Sequence, residues 1–216
     1  MKIPKRWKEA GRALVCLVLA GTGAAQAQSL PVDGKTAQAM LFSPKSSEFR
    51  IVGGKFLSEA DRRTLAVLPR IMKAEEVPMK YYGAIAIAPS AGLAARKTTL
   101  FAMGYHDIEN ARAAALKGCN GARKGGRRCV IVAEVYPKGW APRPLQLNQD
   151  ATLGFRKYRR GRREKAFAIS PATGEWAFAK GRGAEARALA DCNAKAVRKA
   201  GRKPASKADC RIVIRD

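Results

Sequence analysis

An α+β fold built from two related ββαβ units is predicted by three observations. Two stretches of the chain run in step: Ala84-Ile85-Ala86-Ile87-Ala88-Pro89 matches Ala166-Phe167-Ala168-Ile169-Ser170-Pro171, Gly92 matches Gly174, and Phe101-Ala102-Met103 matches Trp176-Ala177-Phe178. The cysteines keep the same step. Ala115-Leu116 and Cys119 correspond to Ala188-Leu189 and Cys192, and Cys129-Val130-Ile131-Val132 to Cys210-Arg211-Ile212-Val213. Within each stretch the hydrophobic period changes from strand-like to helix-like and back. Ordered self-similarity of this kind is the mark of a duplicated supersecondary unit.

Each element has a local reason. GAIAIAP alternates small and large apolar residues and ends in a Pro/Gly turn, a hairpin signal, and EWAFAKG reads as a returning strand. Ala184 to Lys199 is rich in strong helix formers, with Ala188, Leu189 and Cys192 on one apolar stripe. CVIVAEVY and CRIVIR are β-branched runs and read as closing strands. One cysteine of each pair thus ends a helix and the other opens a strand. The simplest pairing is Cys119–Cys129 and Cys192–Cys210, each tying a helix to its sheet. Closing a loop of about 15 residues is worth about 3 kcal/mol in the chain-entropy model.

The first unit spans residues 81–140 and the second 165–216. Residues 28–80 form a short N-terminal helical extension. There Phe49-Arg50-Ile51-Val52 before Gly53-Gly54 suggests a strand and turn. Ser58-Glu59-Ala60-Asp61 resembles a capping box and starts a helix to about Lys73, kinked or ended by Pro69. Residues 141–164 are a basic linker, in which Asn148 or Asp150 caps a short helix through Tyr158.

The first residues read as a secretory signal peptide. MKIPKRWKEAGR is basic, ALVCLVLAG is too short to cross a bilayer, and Ala25-Gln26-Ala27 offers a cleavage pattern, so residues 1–27 are expected to be removed. The mature protein is then expected to be soluble and exported, periplasmic or extracellular, with no transmembrane segment. Cys16 leaves with the signal. The even count that remains suits two disulfides in an oxidising compartment. A structural zinc site needs close cysteine pairs, whereas nine and seventeen residues separate these, and His106 is the one histidine. No metal and no cofactor are expected.

Loss of the signal takes away five Lys/Arg and one Glu, so the net charge falls from +25 to +21. Such a charge favours polyanionic partners. In the cell envelope these are lipid headgroups, anionic glycans or extracellular nucleic acid, with an envelope protein as the other partner class. The basic residues cluster. The first cysteine loop holds Arg123, Lys124, Arg127 and Arg128. The linker holds Arg156, Lys157, Arg159, Arg160, Arg162, Arg163 and Lys165. The second cysteine loop holds Lys195, Arg198, Lys199, Arg202, Lys203 and Lys207. All of these except Lys165, which opens the second unit, and Lys207 are the candidate anion-binding residues, with Tyr158 a candidate platform for a base or sugar.

Catalytic motifs are missing. There is no G-x-S-x-G elbow, P-loop or H-E-x-x-H, and Gly181 and Gly183 match only two glycines of a dinucleotide fingerprint. His106-Asp107 is the one suggestive pair, but Asp107 is better placed to cap the following helix. Tyr81, Tyr82, Trp140 and Trp176 suit core or hairpin packing. The expectation is a non-enzymatic binding or structural module of the envelope. The alternative is a small exported enzyme or enzyme inhibitor with a site near His106.

The pieces GKTAQAMLF, YYGAIAI, PKGWAPRPLQL and AISPATGEWAF, with the Ala-Leu-x-x-Cys helices and Cys-initiated strands, carry a family resemblance over most of residues 34–216. The chain resembles secreted alphaproteobacterial proteins with tandem domain-of-unknown-function 4189-like repeats. The resemblance implies the repeat fold and export and names no substrate. Proteins of this type are sometimes labelled 5-aminolevulinate synthase. That enzyme is a much larger cytosolic pyridoxal-phosphate protein, and no cofactor motif surrounds any lysine here, so the label is rejected as a function.

Overall fold

The computed structural model of the chain describes residues 30–161, 164–201 and 208–216. The expected signal peptide, Arg162, Arg163, Arg202, Lys203 and Lys207 lie outside the described residues. In chain order the elements are α1 (Gly34–Met40), β1 (Ser47–Ile51), a 3-10 turn (Gly54–Phe56), α2 (Glu59–Ala74), β2 (Gly83–Ile87) and β3 (Leu100–Ala102). There follow α3 (Ile108–Ala122), β4 (Val130–Pro137), α4 (Gln149–Tyr158), β5 (Lys165–Ile169), β6 (Trp176–Lys180), α5 (Ala184–Ala200) and β7 (Arg211–Arg215). They make two antiparallel sheets, ordered β1-β4-β2-β3 and β6-β5-β7.

Small and large side chains alternate along the strands, and this decides which layer covers which face. In the first sheet Ala84, Ala86 and Ala88 pack on Ile108, Ala111, Ala115 and Cys119 of α3. Ile85 and Ile87 point the other way, to Leu57 and to Leu65 of α2. In the second sheet Ala166, Ala168 and Ala177 meet Ala184, Ala188 and Cys192 of α5. Phe167 and Ile169 face Ala151, Phe155 and Tyr158 of α4 and Ala37 of α1. Alanine on both sides lets the cysteine-bearing helix lie close to the strands, while the bulky face spans the wider gap to the outer helix. Phe167, Trp176 and Phe178 stack within that gap, at 5.4 Å between the Phe167 and Trp176 centroids, with Tyr158 edge-on to Phe167 at 5.8 Å. A Cβ on Gly154 would overlap the Trp176 ring, so glycine is what lets α4 rest on the indole.

Both central strands break register at matching places, between Ile85 and Ala86 and between Phe167 and Ala168. Such bulges bend a strand and raise its twist. The disulfides are Cys119–Cys129 and Cys192–Cys210, each with Cα atoms 6.1 Å apart. The residue after each helical cysteine adds a second tie. Asn120 Oδ1 accepts the Cys129 N–H at 3.1 Å, and Asn193 Oδ1 accepts the Cys210 N–H at 3.1 Å.

The caps follow the sequence. Ser58 and Asp61 form the reciprocal capping box, Asp107 accepts from Asn110 N, and Asn148 accepts from Ala151 N. The helix expected to about Lys73 runs to Ala74, with Pro69 inside it. Leu65 and Leu68, packed beside the first sheet, hold the helix across the lost N–H bond. The extension also carries a helix with no apolar periodicity to announce it. Asp33 caps α1, and the Asp216 carboxylate accepts from Gly34 N at 2.7 Å. Burial would raise the Asp216 carboxyl, but the Gly34 N–H and the Lys165 ammonium outweigh it and hold it below the usual range. The extension thereby reaches both sheets: Val32 bridges Ile214, and β1 lines up along β4.

Candidate functional site

The two sheets meet at a polar seam around His106. The residue is 1 % exposed. Its Nε2 donates to Glu175 O at 3.1 Å, and its Nδ1 accepts the Asn148 N–H at 3.2 Å. These bonds fix the Nε2-protonated neutral form. Burial pushes the imidazole from its ordinary 6.5 down to about 4, against the raising effects of the Glu175 carbonyl and Asp107. Asn148 completes the seam. Its Nδ2 donates to Gly104 O at 2.6 Å, after β3, and to Gly174 O at 2.7 Å, in the β5–β6 turn. Gly174 has φ +73°, and a Cβ there would overlap Gly104 O, so this close approach requires glycine. Lys80 adds an ion pair to Asp150 at 2.6 Å. With both ring nitrogens bonded to backbone groups, the buried imidazole ties the segments of the seam together.

The seam predicts a pH response. The folded state keeps His106 neutral down to about pH 4, whereas the unfolded chain takes the proton near 6.5. The unfolded state therefore binds more protons between these values, and stability falls as the pH drops through that window. At 1.36 kcal/mol per pH unit the loss from this group is about 3 kcal/mol. Because the chain has one histidine, imidazole NMR reads it without overlap. The expected midpoint is about 4, and a midpoint near 6.5 would mean the seam is open to water.

The basic candidates separate into different environments. Tyr158 is fully buried under Phe167 and Phe178, so it is no platform for a base or sugar. Arg123 is used internally: Nε donates to Asn120 Oδ1 at 2.9 Å and Nη1 to Gly126 O at 2.7 Å, bracing the first cysteine loop. Lys124, Arg127 and Arg128 are exposed. Lys195 donates to Trp176 O at 3.0 Å and lies over the Trp176 ring. Lys199 pairs with Glu175 at 3.2 Å. A cleft of about 930 Å³ runs along α3, with Lys199 at one end beside Tyr105 and Gly121 and Ala122 at the other. From Asn110 to Ala122 the helix rises about 18 Å at 1.5 Å per residue. Lys199 and the Arg123 loop therefore stand at opposite ends of α3.

The linker cluster behaves differently. Arg156, Lys157, Arg159 and Arg160 end α4 and are exposed. The fold brings Lys180, Arg182 and Arg187 beside them. Lys180 Nζ donates to Lys157 O and to Arg160 O, both at 2.7 Å. Arg187 donates to Lys180 O at 2.8 Å and to the Arg182 carbonyl. Among the described residues none of these seven cations lies within 4 Å of a carboxylate. The sequence reading missed Lys180, Arg182 and Arg187, because Lys180-Gly181-Arg182 is too short to count as a run and Arg187 stands apart from it.

Among the described residues there is no His/Cys/Asp/Glu group able to hold a metal ion, and no helix is long and apolar enough to cross a membrane. In comparisons with protein-family models, curated proteins and solved structures, nothing matches the chain.

Proposed function

We propose that this is an exported, non-enzymatic module of the cell envelope that binds a polyanion through the surface formed by the end of α4 and the β6–α5 turn. The observation that carries the reading is the set of seven cations gathered there without a carboxylate partner among the described residues. Cations with no carboxylate partner keep their charge for an external one, and a polyanion releases counterions when it binds them. Basic side chains at a helix C-terminus also favour the helix itself. Lys180 and Arg187 spend their donors on backbone carbonyls, which holds the two segments together while leaving the local field positive.

The framework under this surface is read as two copies of one ββαβ unit. Supporting this are the strand orders β3-β2-β4 and β6-β5-β7, the matching bulges, and the matching Cys-Asn ties. It is the arrangement expected from the tandem-repeat family that the sequence resembles. The disulfides and the leader sequence support export.

Heparin chromatography tests the reading. The K157Q/R160Q/R182Q variant is expected to elute at clearly lower salt than the wild type. K124Q/R127Q/R128Q, which neutralises the loop at the end of α3, should shift elution less. Equal shifts would mean that net charge alone governs retention, and no retention of the wild type at low salt would sink the proposal.

A further inference from the structure

A smaller pocket opens beside the basic surface, between the end of α1 and α4. Its volume is about 270 Å³, and it is lined by Gln38, Leu41, Phe42, Ser43, Thr152, Phe155, Arg156 and Arg159, with Pro44. The α4 residues form one stripe, since Thr152, Phe155, Arg156 and Arg159 follow helical spacing. Arg156 and Arg159 therefore leave the helix about one turn apart and both line the pocket, and among the described residues neither has a carboxylate within 4 Å. Ser43 Oγ accepts the Lys45 N–H at 3.3 Å, which leaves its proton free to donate. Gln149 Nε2 donates to Pro44 O at 3.0 Å, which ties the segment after α1 to the start of α4.

We infer that this pocket binds a phosphomonoester carried on a sugar-sized or glycerol-sized body. The inference rests on the polyanion reading and names the chemical group that gives it specificity. Two arginines one turn apart match the several oxygens of a phosphate, and a carboxylate would occupy only one fork. The Leu41, Phe42 and Phe155 side chains supply an apolar wall for the body of the ligand. The size excludes more: drug-sized ligands fill roughly 300–1,000 Å³, so about 270 Å³ takes one headgroup or one monosaccharide.

The test is an NMR titration of the full mature chain with inorganic phosphate, glucose 6-phosphate and glucose, followed by vesicles of phosphatidic acid in phosphatidylcholine. Glucose 6-phosphate is expected to shift α1 and α4 resonances saturably, and at least tenfold more tightly than inorganic phosphate or glucose. R156Q/R159Q should lose at least tenfold of that affinity, while K124Q/R127Q, which removes the same charge from the first cysteine loop, stays within twofold. Preference for the vesicles over glucose 6-phosphate assigns the group to a lipid headgroup, and the reverse assigns it to a soluble or glycan phosphate. Equal weakening in both variants, or no saturable shift with any phosphomonoester, overturns the inference. Heparin retention of the wild type in the same buffer reports separately on the polyanion reading.

Discussion

Replacing both cysteine pairs by alanine is expected to remove about 6 kcal/mol of stability at 25 °C. The bridges close segments of 10 and 18 residues. In the chain-entropy model each is worth about 3 kcal/mol, the longer one slightly more. Domains of this kind hold only about 5–15 kcal/mol in all, so losing both bridges consumes much of the total. Either pair alone should lower Tm by roughly 6–12 °C, at about 2–4 °C per kcal/mol for a chain of this size. Cys119 and Cys192 are fully buried against alanines of the sheets, so alanine adds no buried hydroxyl and the effect reports the bridge. Paired thermal melts of the three variants check this. A loss below about 1 kcal/mol per bridge would mean that the Asn120 and Asn193 ties and the alanine packing hold the helices by themselves.

Asn148→Ala is expected to cost about 3–7 kcal/mol, and Asn148→Asp at least as much. Alanine removes the cap on Ala151 N, worth about 1 kcal/mol, and strips the Gly104 and Gly174 carbonyls of their donor, at about 1–3 kcal/mol each. Aspartate separates the two roles. It caps as well as asparagine, but it has no Nδ2 donor and places a carboxylate against two carbonyl oxygens. If Asn148 were only a cap, Asn148→Asp would be nearly neutral. Urea unfolding of both variants distinguishes the clamp from the cap, and a neutral Asn148→Asp would contradict the seam described above.

Much of the framework was legible in the chain because it is written locally. Alternation in GAIAI and EWAFA gave the strands, Ser58 and Asp107 gave helix starts, and the matched cysteines gave the pairing that the structure shows. What was not legible depends on distant partners. Asn148 reads as a cap because Ala151 is three residues away, whereas its other partners lie 44 and 26 residues off. The α1 helix is set by Asp33 and by Asp216 at the far end of the chain, and no periodicity marks it. The candidate surface was half legible. The arginine run at the end of α4 is plain in the sequence, but Lys180, Arg182 and Arg187 join it only through the turn after β6. Tyr158 stands inside that run, and its periodicity, not its charged neighbours, decides its place in the core.

The measurement that bears most directly on the polyanion reading is the salt dependence of binding to fluorescently labelled heparin. The wild-type protein should bind with the logarithm of its affinity falling linearly against the logarithm of salt concentration. The K157Q/R160Q/R182Q variant should bind more weakly and with a shallower slope, because fewer counterions are released when fewer cations make contact. Affinity independent of salt, or a variant with the wild-type slope, would contradict the assignment of polyanion binding to the α4 and β6–α5 surface.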